Sequence, residues 1–264
     1  MGKDHKNAVS AKKLEPLYIV EKRGQEVVIT GFTERNAAEK LGVRHLTVII
    51  VPFVADGKKA GRWIVHDRTA KQWAKGKIDC KTPSFNFFGG HATADPTELD
   101  LIGQAVPLDI CLAAARRELE EEFLRNGEEM ELEVWLNQKK TDAPIYAAPY
   151  QARELIPIGF ASYADRDNVE LSYFYALPVP GSDLDNLVAA DNYIDESAKD
   201  TEDPERDVFL RVDDFFEAEL LVMAHMQPDI EICDAVTRLW CPENKAVIEK
   251  LRTVIEGFCE KSQG

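Results

Sequence analysis

The chain alternates between stretches that repeat every two residues and stretches that repeat every three to four. Leu17–Val20 and Glu26–Thr30 are short β-branched runs joined around Gly24, and they predict a hairpin. Thr33 can cap a short helix through Lys40, with Gly42 as its terminator. His45–Val54 is a continuous apolar run of strand length, as expected of a central strand buried on both faces. Asp56-Gly57 marks a turn, and Arg62–His66 returns as a second strand. Phe85–Phe88 leads into Gly89-Gly90-His91, where two glycines end an aromatic strand and allow close backbone approach or a tight turn. Residues 92–106 read as a loop, and Pro107 suits the first turn of a helix that continues towards Gly127.

That helix carries two stripes. Leu108, Leu112, Ala115, Leu119 and Phe123 fall on an apolar one, while Glu118, Glu121 and Glu122 stand at i, i+3 and i+4 on a neighbouring face. Further on, Glu131–Leu136, Leu155–Tyr163 and Val169–Leu177 read as strands. Residues 183–207 hold ten acidic residues against Lys199 and Arg206, which predicts a solvated loop. Three amphipathic helices close the chain, at about Asp213–His225, Asp229–Leu239 and Glu243–Phe258. The apolar stripe of the last fits an intrachain core or a homodimer seam.

Composition narrows the class. The 264 residues suffice for one large domain with embellishments, and 45% apolar with 30% charged residues describes an ordinary soluble globular protein. A formal charge of −15 argues against a general nucleic-acid or anionic-membrane binder, because the net field repels phosphate polymers. Five scattered cysteines without a CxxC pair point to reduced thiols in a cytoplasmic protein rather than a zinc site or disulfide framework. The N-terminus lacks an apolar h-region, and no run approaches a bilayer-spanning length. The charge balance reverses between Lys58 and Lys81, where Lys58, Lys59, Arg62, Arg68, Lys71, Lys75, Lys77 and Lys81 face only Asp67 and Asp79. That excess could hold a polyanionic ligand or merely solubilise a loop.

Three carboxylates on one helical face repel each other unless a cation sits among them, and oxygen-only ligands suit Mg²⁺ or Mn²⁺. Helix geometry alone leaves a solvated charged face open as well. Sequence context shifts the balance. Gly103-x5-Asp109-x7-Arg117-Glu118-Leu119-x-Glu121-Glu122 resembles the box of the Nudix hydrolase superfamily, G-x5-E-x7-R-E-U-x-E-E-x-G-U, with U a bulky aliphatic residue. The core Arg-Glu-Leu-x-Glu-Glu is fully matched. Asp109 replaces a glutamate and Leu124 replaces the closing glycine. Gly103 has the opening glycine's spacing, whereas Gly90 has its local context. Taking Gly90 as the equivalent makes residues 92–104 an insertion bordering the metal site.

A wider resemblance covers roughly residues 17–180. Gly-Val-Arg-His45, His-Asp-Arg68, Gly-Gly-His91 and Asn168-Val169-Glu170-Leu171 look like the branch related to isopentenyl diphosphate isomerase. Gly89 stands where that isomerase has its catalytic cysteine, so isomerisation is disfavoured. The resemblance implies a Nudix-type α/β/α sandwich with a mixed β-sheet, an N-terminal β-hairpin and a C-terminal helical extension. The boundaries expected are 1–42 for the β extension, 43–212 for the Nudix domain and 213–264 for the helical extension. It further implies a pyrophosphohydrolase that cleaves a small-molecule diphosphate, typically a nucleoside diphosphate derivative, with Mg²⁺ or Mn²⁺ held by Glu118, Glu121 and Glu122. Arg117 is expected to hold a box carboxylate in register, and Glu170 is a candidate general base. Arg68, Gly90 and His91 are expected at the substrate. His45, His91 and Glu170 match metal ligands of the isomerase group, the alternative for the two histidines being hydrogen-bonded structural imidazoles. A ligand-sensing module without turnover is the rival function.

Overall fold

The apolar run His45–Val54 forms the strand around which the molecule is built, and all ten of its residues are buried. The computed structural model describes residues 15–24, 26–69, 84–95, 97–126, 135–136, 139–140, 147–151, 154–165, 168–194, 205–210, 212–226, 236 and 239–261. In chain order the first half contains β1 (Pro16–Arg23), β2 (Glu26–Glu34), α1 (Arg35–Leu41), β3 (His45–Val54), β4 (Trp63–Asp67), β5 (Phe85–Asn86), β6 (Phe88–His91) and α2 (Leu108–Glu122). The second half contains β7 (Phe123–Asn126), β8 (Trp135–Leu136), β9 (Lys139–Lys140), β10 (Ala147–Pro149), β11 (Ile156–Asp165), β12 (Asn168–Val179), β13 (Leu187–Ile194), β14 (Glu205–Leu210) and β15 (Val212–Phe215). Helices α3 (Glu217–Met226) and α4 (Lys245–Lys261) follow.

Strand β3 pairs in parallel with β12 along its whole length, from Glu170 opposite His45 to Val179 opposite Val54. Its other edge meets three antiparallel strands in succession: β1 at His45, β6 at Thr47–Ile50 and β4 at Phe53. The sheet is therefore mixed, and the N-terminal hairpin of β1 and β2 is continuous with it. Alternate residues of each strand point to opposite faces. Leu46, Val48, Ile50, Phe88, Leu171 and Tyr173 pack with Cys111, Ala115 and Leu119 of α2 on one face. Ile49, Val51, Phe53, Phe87 and Phe174 pack with Val247, Ile248, Leu251 and Ile255 of α4 on the other. The result is the expected α/β/α sandwich, and the apolar stripe of α4 is buried within the chain's own core. Among the described residues no helix is long and apolar enough to cross a membrane.

Several elements differ from the sequence reading. Helix α2 stops at Glu122 instead of running on towards Gly127. Phe123 turns extended because it is fully buried, edge-on to Phe88 and Tyr150, and Leu124 then pairs across to Val188 and Pro149. Ala115, Leu119 and Phe123 of the expected stripe are buried, but Leu108 is half exposed, and Cys111 and Ala114 widen the buried face. The acidic stretch 183–207 is not a loop throughout. Leu187-Val188-Ala189-Ala190 is buried and opens β13, between β7 and β14 in a second, four-stranded sheet. Its flanking acids had masked that short apolar run. Glu34 rather than Thr33 caps α1, through a carboxylate bond to the Ala37 N–H, and Gly42 closes it in the left-handed conformation as expected. Val212–Phe215 is a strand on β4, which delays the following helix to Glu217. Most of the expected helix Asp229–Leu239 and of the expected strand Glu131–Leu136 lies outside the described residues, as do Lys71, Lys75, Lys77 and Lys81, while Val236 and Leu239 are described, both helical and fully buried.

Candidate active site and metal-ligand clusters

The site is organised by the four residues Phe88-Gly89-Gly90-His91 of β6. On the α2 side Gly90 admits the helix. A Cβ at Gly90 would lie 2.7 Å from a Glu118 carboxylate oxygen, so a side chain there would have to displace that carboxylate. Gly89 adopts a φ of 142°, and its N–H donates to Glu122 Oε2 over 3.0 Å. Among the described residues β6 pairs only with β3, which places that N–H on the strand's free edge. Gly103, by contrast, has open space around it and donates its N–H to Ile29 O on the hairpin. The local context of Gly90, not the spacing of Gly103, therefore identifies the glycine beside the box.

Arg117 links helix and strand. Its Nη2 donates to Glu118 Oε1 over 2.5 Å and to the His91 carbonyl over 2.6 Å, and its Nη1 donates to Thr93 Oγ1 over 2.9 Å. Burial lifts the Glu118 carboxyl above the ordinary glutamate range, while the Arg117 bond and charge pull it down and Glu121 adds to the lift. Glu118 is nearly buried, Glu122 is half-buried, and the Glu121 side chain is 63% exposed. The three carboxylates share one arc of the helix without converging. Asp109 sits in the exposed first turn of α2, where its carboxylate accepts from the Ile110 N–H.

On the opposite face of β6 and β3 a second cluster forms. Glu170 stands directly across from His45 in the parallel pair, and His91 stands across from Thr47. Strand alternation puts the side chains of His45, Thr47, His91 and Glu170 on one face, with Gly90 and the box helix on the other. The imidazoles of His45 and His91 stack with ring centroids 5.1 Å apart. One donor atom from each of His45, His91 and Glu170 lies within 4.8 Å of the others, and this is the one such triad among the described residues. His45 is fully buried, and its Nδ1 lies 3.0 Å from the Val43 carbonyl. A carbonyl can only accept, so Nδ1 carries the proton and Nε2 presents its lone pair. The Nε2 atoms of His45 and His91 are both buried without a hydrogen-bond partner. Thr47 Oγ1 donates to Glu170 Oε2 over 3.3 Å and sits 2.7 Å from Ser172 Oγ. Burial foremost, and then the Arg35 charge, push the His91 imidazole down to about 3.

The chain thus brings Gly90, Arg117, Glu118 and Glu122 together on one side of β6, and His45, His91 and Glu170 on the other. Glu170 does not join the box carboxylates. Arg68 follows β4 and donates its backbone N–H to Ser84 O. Lys59 and Arg62 of the basic stretch do not form a free anion site, because Lys59 pairs with Asp214 and Arg62 with Asp214 and Glu219. Among the described residues of 92–106, Ala94 N–H donates to Pro16 O and Val106 N–H to Val27 O on the N-terminal hairpin, and Thr93 Oγ1 accepts from Arg117 of the box. Sequence reasoning missed Glu39, whose Oε1 lies 3.9 Å from His91 Nε2. No periodicity marks it, since it belongs to a short helix with no apolar stripe.

No family model matches the chain, and neither does a curated protein. Among solved structures the chain is similar to one titled "Crystal structure of ADP compounds hydrolase", at 16% identity over 94% of this chain and 98% of that one, with a TM-score of 0.30.

Proposed function

We propose that the chain is a divalent-cation-dependent hydrolase of the Nudix type, cleaving a diphosphate linkage in a nucleoside diphosphate derivative or a similar small diphosphate. The observation that supports this best is the seat of α2 on β6, which brings the Glu118 carboxylate against Gly90 and the Glu122 carboxylate onto the Gly89 N–H. The donor set consists of carboxylate oxygens, as a hard cation requires. Glu121 and Glu122 are the foremost ligands, and Glu118 completes the set or orients water. When bound, Mg²⁺ or Mn²⁺ there would neutralise the diphosphate and lower the pKa of a coordinated water. Arg117 orients Glu118 by bonding it and the His91 carbonyl at once, so the carboxylate keeps one direction as substrate arrives.

The experiment is a screen of nucleoside diphosphate compounds for phosphate-containing products, with and without Mg²⁺, using wild type and the Glu121→Gln and Glu122→Gln variants. Turnover that requires the metal and falls at least about 100-fold in each folded variant supports the reading. Wild-type rates in both variants remove it.

A specific observation favours a second reading. Glu118 is tied to Arg117, Glu121 points to solvent, and the three carboxylates do not converge, as in a module that binds a diphosphate without cleaving it. Ligand-induced thermal stabilisation with no product in the same screen would identify that sensor. Isomerisation stays disfavoured: Gly89 occupies the cysteine's place, and Cys111, on the buried face of α2, has its thiol pushed up to about 12.

A further inference from the structure

We propose that the groove between α2 and the segment joining β10 to β11 binds a small zwitterion with an apolar body, such as an amino acid with an aliphatic or aromatic side chain. The groove has a volume of about 630 Å³, within the range of small-molecule sites. One wall is the α2 stripe of Leu112, Arg116 and Leu119, at i, i+4 and i+7, with Glu120 beside it. The other wall is made by Tyr150, Gln151, Glu154 and Leu155. Glu121 lies nine residues beyond Leu112, about two and a half turns, and so on the opposite side of the helix. The groove is therefore separate from the box carboxylates and goes beyond the hydrolase reading.

Tyr150 holds the second wall in place. Its N–H donates to Phe123 O over 2.9 Å, its ring stands edge-on to Phe123, and its hydroxyl donates to Asp183 Oδ2 over 2.9 Å. Leu119 is buried, and Leu112 and Leu155 pack against the same core, so the floor is apolar. A groove fixed in this way spares its ligand the cost of ordering a loop.

The rim is polar. Arg116, Glu120, Gln151 and Glu154 are all exposed, and among the described residues none of them has an ion pair or a side-chain hydrogen bond. Arg116 and Glu120 stand at i, i+4, a spacing that allows pairing, yet they remain apart. One guanidinium and two carboxylates, the carboxylates on different walls, set the charges of the ligand. Arg116 offers a planar fork of donors to a carboxylate. Glu120 and Glu154 offer acceptors to an ammonium, which carries three donors. An anion alone would meet the two glutamates, and a cation alone would meet the guanidinium, whereas a zwitterion answers both. Its apolar side chain would cover Leu112, Leu119 and Leu155.

The test is calorimetric titration of the full-length protein with phenylalanine, phenylalanine amide and N-acetylphenylalanine, with thermal unfolding as a second readout. Phenylalanine should bind at millimolar concentration or below and raise the unfolding temperature. The amide lacks the carboxylate for Arg116, and the N-acetyl derivative lacks the ammonium for Glu120 and Glu154, so each should bind about tenfold more weakly. Arg116→Gln should abolish the preference over the amide, and Glu154→Gln should reduce the preference over the N-acetyl derivative. Both positions are exposed, so the fold should survive. Glu121→Gln, across the helix, should leave binding unchanged, which keeps the outcome independent of hydrolysis. Absence of phenylalanine binding overturns the proposal. Equal binding of the amide overturns it in favour of a cation site, and equal binding of the N-acetyl derivative in favour of an anion site. A solution dimer that Arg116→Gln dissociates would overturn it by assigning the groove to a second copy of the chain.

Discussion

A single methyl group at Gly90 would have to displace the Glu118 carboxylate. The Cβ of Gly90→Ala would meet both oxygens and the carboxyl carbon of Glu118 at 2.7–2.8 Å. Either α2 shifts outward or Glu118 abandons Arg117. The expected outcome is a loss of about 1–3 kcal/mol of stability together with reduced turnover, read by denaturant unfolding and by the hydrolysis assay. Unaltered stability and activity would mean that the close seat is not needed. His91 makes a prediction of a different kind, for the metal-stripped protein. Its imidazole is pushed down to about 3, against 6.5 ordinarily, foremost by burial and then by Arg35, His45 and Arg117, with Glu170 acting the other way. Below about pH 6.5 the unfolded chain takes up a proton that the folded chain refuses, so stability falls as pH drops through the window from about 6.5 to about 3. The share of His91 in that slope is at most about 1.4 kcal/mol per pH unit. His91→Gln should flatten the pH dependence of the unfolding midpoint between pH 7 and 5, and an identical slope in variant and wild type would contradict the argument.

At the scale of elements, helix α2 is a lever between the sheet and the site. Cys111, Ala114, Ala115 and Leu119 set how close it lies, and small residues at 114 and 115 allow the approach that brings Glu118 to Gly90. Ala115 is fully buried, so Ala115→Leu should lift the helix and cost about 1–3 kcal/mol by overpacking. Turnover should fall further than the stability loss alone would explain, with kcat the parameter that moves. A variant with normal kcat would show that the carboxylates do not depend on that spacing. Helix α1 is the counterpart on the other face: seven residues long, closed at Gly42, and positioned by what it touches rather than by an amphipathic stripe.

Across the whole molecule the sheet keeps two layers apart. Leu119 belongs to the core under α2, and Leu251 to the core under α4. Leu119→Ala and Leu251→Ala should each cost about 2–5 kcal/mol, and their effects should add to within about 0.5 kcal/mol, because the residues share no partner. A coupling above about 1 kcal/mol in the double mutant would show that the sheet transmits strain between its faces. The buried strand β3 and helix α4 were legible in the chain from a continuous apolar run and a stripe at helical spacing, whereas the mixed sheet and the sandwich were expected only from the family resemblance. The shared face of Glu118, Glu121 and Glu122 was legible from their spacing on α2, whereas their expected metal role, like the choice of the histidines and Glu170, came from the resemblance of the segments around them. What the sequence could not decide is which side of the sheet each group occupies. Alternation tells neighbours apart along one strand, but pairing register between strands is fixed only when β3, β6 and β12 come together. That register sets His91 beside His45 and Glu170, with Glu118 behind Gly90. The helix stripe held at Ala115, Leu119 and Phe123 but failed at Leu108 and omitted Cys111 and Ala114, and β13 was hidden by flanking acids, because burial depends on what an element meets and not on its own periodicity. Glu39 reached the histidines by the same route: local sequence made α1, and only the packed sheet decided what its carboxylate would face.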